Sequence, residues 1–130
     1  MFADIGKLIL RFNIGVLMLF HGVYKVIHGI GGVEGLIGSM GLPSFVAYGV
    51  YLGEILAPLM IILGFRVKVA AILVVFTMIV AMFAVSGGDI FTLNQSGGWN
   101  FELQGLYLFG ALSIFFLDSG RFALDIKKGK

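Results

Sequence analysis

Four long runs of apolar residues, separated by short polar or glycine-rich stretches, set the pattern of this chain. They cover residues 8–28, 44–64, 67–85 and 101–117, each near the roughly 20 residues that a helix needs to cross a bilayer. The third is the most uniform, reading Val-Ala-Ala-Ile-Leu-Val-Val-Phe-Thr-Met-Ile-Val-Ala-Met-Phe-Ala-Val from Val69 to Val85. Strands of a membrane barrel would alternate apolar and polar positions over about 10 residues. These runs are longer and apolar on all sides, which predicts helices with their backbone groups satisfied inside each segment. The expected fold is therefore an all-α integral membrane protein: a four-transmembrane-helix bundle forming one domain over 1–130.

The polar interruptions orient such a bundle. Lys7 and Arg11 open the first run, and Arg66 and Lys68 fill the turn between the second and third. Arg121, Lys127, Lys128 and Lys130 follow the fourth, while residues 87–100 contain no Lys or Arg. An even number of spans puts the three basic regions on one side. The positive-inside rule then gives a multi-pass protein of the cytoplasmic (inner) membrane with both termini cytoplasmic. The first run lacks a small-x-small cleavage site after its apolar stretch, so it is read as retained. In the glycine-rich segment 29–43, Val33, Leu36, Ile37 and Met40 recur at helical spacing. That predicts a short amphipathic helix in the first outer loop, with a flexible loop as the alternative. Trp99, in the second outer loop, is expected to anchor at the interface.

Composition agrees with lipid as the solvent. Hydrophobic residues make up 59% and charged residues 12%, about half the charged share of a soluble domain. The lipid bilayer is thus the first expected partner. A net charge of +2 gives no sign of nucleic-acid binding. The absence of cysteine removes disulfides, thiol redox catalysis, thiolate metal sites and covalent haem attachment through this chain. His21 and His28 are seven apart on one helix face. One helix cannot serve both sides of a haem, and no acidic or thiol cluster completes a metal site, so neither metal nor haem is expected.

The ionisable residues inside the apolar runs are the candidates for chemistry. Arg11, His21 and Lys25 fall within an arc of about 80° on the first helix. That face should point into the bundle, because a mid-bilayer Arg or Lys costs roughly 2.5–3.5 kcal/mol on insertion scales. Glu54 lies near the middle of the second run, as a functional carboxylate or a structural cross-link, with Lys25 or His21 as its partner. Pro58, one turn on, cannot donate to the Glu54 carbonyl, so a kink and a free carbonyl are expected. Glu102 opens the fourth run, either favoured by a helix N-terminus or paired with Lys25. Helical rise places Lys25 level with Glu102 at the outer rim and His21 level with Glu54 below. Arg11, about 20 Å from Lys25 along the helix, reads as a snorkelling anchor or as a functional residue.

Several landmarks together resemble the DoxX family of small four-span bacterial membrane proteins. They are Arg11…Gly15…Phe20-His21-Gly22…Lys25, Gly41-Leu42-Pro43 followed by Glu54, Leu63-Gly64-Phe65-Arg66, and Glu102…Leu106-Tyr107-Leu108 continuing to Asp118-Ser119-Gly120-Arg121-Phe122…Asp125. The resemblance implies a four-helix bundle. It also implies a link to quinone-dependent oxidoreductases, since some family members are subunits of such enzymes and others belong to membrane oxidative-stress complexes. A quinone headgroup would suit an outer-half cavity lined by the candidate catalytic residues His21, Lys25, Glu54 and Glu102 and by Tyr24 and Tyr107, with the carboxylates and His exchanging protons; Arg11, in another layer, is a further candidate for cofactor binding. Homo-oligomers or partner membrane and redox subunits are expected, with a lipid as the other candidate ligand. Two other functions fit the same residues: a non-catalytic scaffold of a membrane complex, and a small-solute or ion transporter acting as an oligomer.

Overall fold

A computed structural model describes the backbone of residues 1–49, 51–86, 91–117 and 119–124, with the side chains of 32, 33, 36, 44, 46 and 84–86 excepted. Val33 and Leu36 of the expected amphipathic stripe, and the basic residues Lys127, Lys128 and Lys130, thus lie outside the described residues. The chain is all helical, and no strand is present among the described residues.

Helix α1 runs from Phe2 to His28, with Asp4 in its first turn and Lys25 and His28 in its last, each at the end its charge favours. It begins six residues before the expected run. Gly29 ends it at φ 85°, and α2 follows over Gly31–Ser39, where a short helix is expected. The second apolar run is not one regular helix. It divides into a 3-10 turn over Ser44–Gly49, a π-helical segment over Leu52–Leu56, and α3 over Ala57–Leu63. The Ala57 N–H bonds to the Leu52 carbonyl, one residue further back than in an α-helix, and Pro58 sits in the first turn of α3. The kink expected from Pro58 takes the form of this π turn. Gly64, left-handed at φ 75°, closes α3. Helices α4 (Val67–Ser86) and α5 (Glu102–Leu117) pack along each other, and α1 lies on α3.

The core is built of small and flexible residues. Ala57, Ala70, Ala71 and Ala111 are fully buried, and Met18, Met78 and Met82 fill the space between helices. Contact between α1 and the second segment rests on two glycines seven residues apart, which share one face. At Gly15 a Cβ would press on Ile62 and come within 3.0 Å of the Pro58 carbonyl oxygen. At Gly22 it would overlap the Glu54 carbonyl and Ile55. Arg11 lies one turn before Gly15 and Lys25 one turn after Gly22, so both cations flank this glycine seam.

The two cations meet different surroundings. Arg11 does not snorkel: it is 1% exposed. Its guanidinium donates to the backbone carbonyls of Ile61 (3.0 Å) and Ile62 (2.9 Å) at the end of α3. It also donates to those of Ser119 (2.8 Å) and Phe122 (2.9 Å) after α5. The α3 carbonyls lie in the last turn, where intrahelical partners run out and the helix dipole favours a cation. Lys68 likewise donates to the Phe115 carbonyl near the end of α5. Asp4 accepts from the Arg121 N–H at 3.0 Å, so the α1 N-terminus and the segment after α5 meet at the same end.

No helix among the described residues is long and apolar enough to cross a membrane. The four expected spans therefore appear as helical structure without a qualifying span. Helix α1 carries Asp4, Lys7, Arg11 and Lys25, the second run is broken into three pieces, and α5 has 16 residues.

Because four backbone carbonyls depend on Arg11, Arg11→Met should lower unfolding stability by about 3 kcal/mol. Arg11→Lys should recover little of it, since an ammonium lacks the planar fork that reaches two chain segments at once. Denaturant titration in micelles measures this, and a loss below about 1 kcal/mol for either variant contradicts the clamp.

Candidate functional site

The π segment sets the position of Glu54. Its carboxylate accepts from Lys25 Nζ at 2.7 Å, and its side chain is 8% exposed against 22% for Lys25. Tyr51 OH donates to the Lys25 backbone carbonyl at 3.3 Å, tying the start of the π segment to the last turn of α1. The expected rim pairing of Lys25 with Glu102 does not occur. Glu102 is exposed at the start of α5, with Oε1 beside Gly98. Helical rise gives depth along an axis but not direction around it. The glycine contact at Gly22 brings α1 against the π segment, so Lys25 meets the carboxylate of that segment.

Beside the pair lies a partly open cavity of about 630 Å³, within the range of small-molecule sites. Helix α1 contributes Met18, His21 and Lys25, and the second segment contributes Leu52 and Glu54. From α4 come Leu73, Phe76, Thr77 and Val80, and from α5 come Leu103, Gln104 and Tyr107. Ile37 of α2 and Met40, just after it, form part of another wall. The polar groups are few and the remainder is aliphatic or aromatic. His21 meets Tyr107 edge to face, with centroids 5.8 Å apart and planes at 87°.

Of the seven candidate site residues, the structure gathers four here: His21, Lys25, Glu54 and Tyr107. Glu102, Tyr24 and Arg11 are not among the lining residues. Tyr24 stacks on His28 at 4.1 Å, and Arg11 is engaged at the other end of α1. His21 shares the cavity with Glu54 and takes Tyr107 as its ring partner. Two residues join the site that were not expected there. Thr77 lines the wall and donates its hydroxyl to the Leu73 carbonyl at 2.7 Å, and Tyr51 braces Lys25. Thr77 is the lone hydroxyl inside the uniform third run, which is the signal that could have marked it. No cluster of three or more His, Asp or Glu able to hold a metal occurs among the described residues.

The arrangement offers a cationic donor, a carboxylate, a phenol, an imidazole and a carboxamide on apolar walls. It can hold a small ring bearing hydrogen-bond acceptors, and it places proton-exchanging groups beside that ring.

Comparison with known proteins adds two findings. The DoxX family profile matches residues 6–87, a stretch that holds Arg11, His21, Lys25 and Glu54 and ends before α5. A Bacillus subtilis (strain 168) protein named "Putative oxidoreductase CatD" is 30% identical over 129 residues, covering 98% of this chain and 91% of that protein. No solved structure matches the chain.

Removing one partner of the Lys25–Glu54 pair leaves an uncompensated charge at a largely apolar wall. Glu54→Gln and Lys25→Met should each destabilise by about 2 kcal/mol, with the partial exposure of Lys25 moderating the larger cost of a fully buried pair. The double variant should lose less than the sum, by at least about 1 kcal/mol of coupling in a double-mutant cycle. Additive losses would show that the two charges do not interact.

Proposed function

The chain belongs to the DoxX family, whose proteins are membrane-associated, and on that premise we propose that it is an inner-membrane component of a quinone-linked oxidoreductase. The helical segments would cross the bilayer as a packed bundle with both termini cytoplasmic. Large apolar side chains exposed on every long helix support that placement, among them Ile9, Phe20, Phe76, Phe109 and Phe116. Apolar surface of this extent is uncommon on soluble monomers. Buried Arg11 fits the same reading, because its four carbonyl partners satisfy a charge that lipid would not.

The observation that carries the ligand reading is the Lys25–Glu54 ion pair opening on an apolar-walled cavity. A quinone is a flat ring with two carbonyl acceptors on an apolar tail, and the residues present fit it. Lys25 Nζ, the Tyr107 hydroxyl and the Gln104 carboxamide are donors suited to its ring oxygens, and Phe76, Met78 and Leu103 would offer apolar wall to the ring. When bound, a quinone would take up two electrons and two protons, and the corresponding quinol would give them out. This chain would bind and orient the ring, keep bulk water from it, and hold exchangeable protons at Lys25 Nζ, Glu54 Oε1 and the His21 ring. The chain holds no electron donor of its own among thiols, since it has no cysteine. Electrons would therefore pass between the quinone and a partner redox subunit. The name of the Bacillus relative, an oxidoreductase, is in keeping with this reading.

Trp99 reports on the site. It is the only tryptophan, and its ring packs on Gly105, next to Gln104. Addition of decylubiquinone to the reconstituted protein should quench its fluorescence saturably. Glu54→Gln and Lys25→Met should raise the apparent Kd about tenfold, equivalent to about 1.4 kcal/mol. Unsaturable quenching, or equal affinity in both variants and the native protein, contradicts a quinone site at this pair.

A further inference from the structure

Between the second segment and α4 the cavity wall is framed by apolar residues that reach the outer surface. On the second segment the frame is Gly49 and Leu52, one turn apart. On α4 it is Phe76 and Val80, again one turn apart; all four line the cavity. Leu52 is 50% exposed and Phe76 65% exposed, so these lining residues also form the outer surface. Among the described residues, nothing lies within 4 Å of where a Gly49 side chain would begin. The gap ends at Gly53 and Thr77, where the two elements touch so closely that a Cβ on Gly53 would overlap the Thr77 hydroxyl. The two elements thus close on each other at Gly53, while among the described residues space is left beside Gly49, in the turn before it.

We propose that this gap is a lateral portal through which a ligand with a polar head and an unbranched apolar tail enters from the lipid phase, leaving its tail between Gly49 and Val80. The inference rests on the ligand reading above and adds the route and the chemical class. The four residues that frame the gap offer water no side-chain hydrogen-bonding group. A hydrocarbon tail there replaces lipid contacts with equivalent ones, so it can stay in the gap at little cost. A tail-less ligand has nothing to place there and leaves the gap as it finds it.

The cysteine-free chain makes the test direct. Gly49→Cys and, on the opposite side of the gap, Val80→Cys are each labelled with a nitroxide and reconstituted into phosphatidylcholine vesicles. Ser96→Cys, in the exposed loop between α4 and α5, is the aqueous reference. At both portal positions the ratio of collisions with oxygen to collisions with a polar nickel chelate should exceed that at Ser96→Cys at least about fivefold, as expected of a site open to hydrocarbon. Decylubiquinone should lower the oxygen collision rate at both positions about twofold or more, as an occupying tail excludes the small probe. Duroquinone, fully substituted and tail-less, should not change it. A ratio at the portal equal to the reference overturns the proposal, as does equal protection by the two quinones. If neither quinone quenches Trp99 while the collision ratio stays high, the lateral opening stands and the quinone reading fails.

Discussion

Pro58 has no amide hydrogen to give to the Glu54 carbonyl, and the packing of this protein follows from how that vacancy is handled. The turn before Pro58 widens into a π segment, with Ala57 bonding back to Leu52. The Glu54 carbonyl faces Gly22 of α1, where a hydrogen stands in place of a Cβ that would overlap it. Close approach of this kind suits weak Cα–H···O contacts and dispersion between the two backbones. Once Gly22 sits on the π segment, Lys25 one turn on is brought to the Glu54 carboxylate. A change at Pro58, Gly22 or Glu54 would therefore act on the same seam.

The two ends of that seam use charge differently. At the basic end Arg11 is a fixed part of the architecture. It joins the last turn of α3 to the segment after α5 through four carbonyls, and those partners serve as solvation for a group that keeps its charge. At the other end Lys25 and Glu54 neutralise each other but border a cavity. A buried ion pair contributes little net stability relative to apolar packing, because desolvation offsets attraction. Breaking the pair by removing one partner is a different matter, because it leaves the other charge uncompensated at the cavity wall. Arg11 and Lys25 share one helix face and one glycine seam, and the cavity separates their roles.

Much of the helical pattern could be read from the chain. The third apolar run predicts the start of α4 at Val67, and the fourth predicts the end of α5 at Leu117. Pro58 announced an irregularity at Glu54, although the π turn itself is a choice made in packing against α1. The expected short helix in the glycine-rich segment appears as α2. The misplacements have a common cause. Rise per residue supplied the depth of each charge, which grouped Lys25 with Glu102, but the azimuth depends on contacts between segments. Arg11 shows the same limit: its partners at Ile61, Ile62, Ser119 and Phe122 are backbone carbonyls, which no side-chain pattern records. Tyr24 shares the end of α1 that holds Lys25, but it turns to stack on His28 instead of facing the cavity.

The most direct test of the account is an experimental density map of the protein extracted with its native lipids. The account predicts a flat headgroup within hydrogen-bonding distance of Lys25 or Tyr107, with the Lys25–Glu54 pair beside it. A map in which Lys25 and Glu54 are paired but the cavity holds only acyl chain, its headgroup elsewhere, would contradict it.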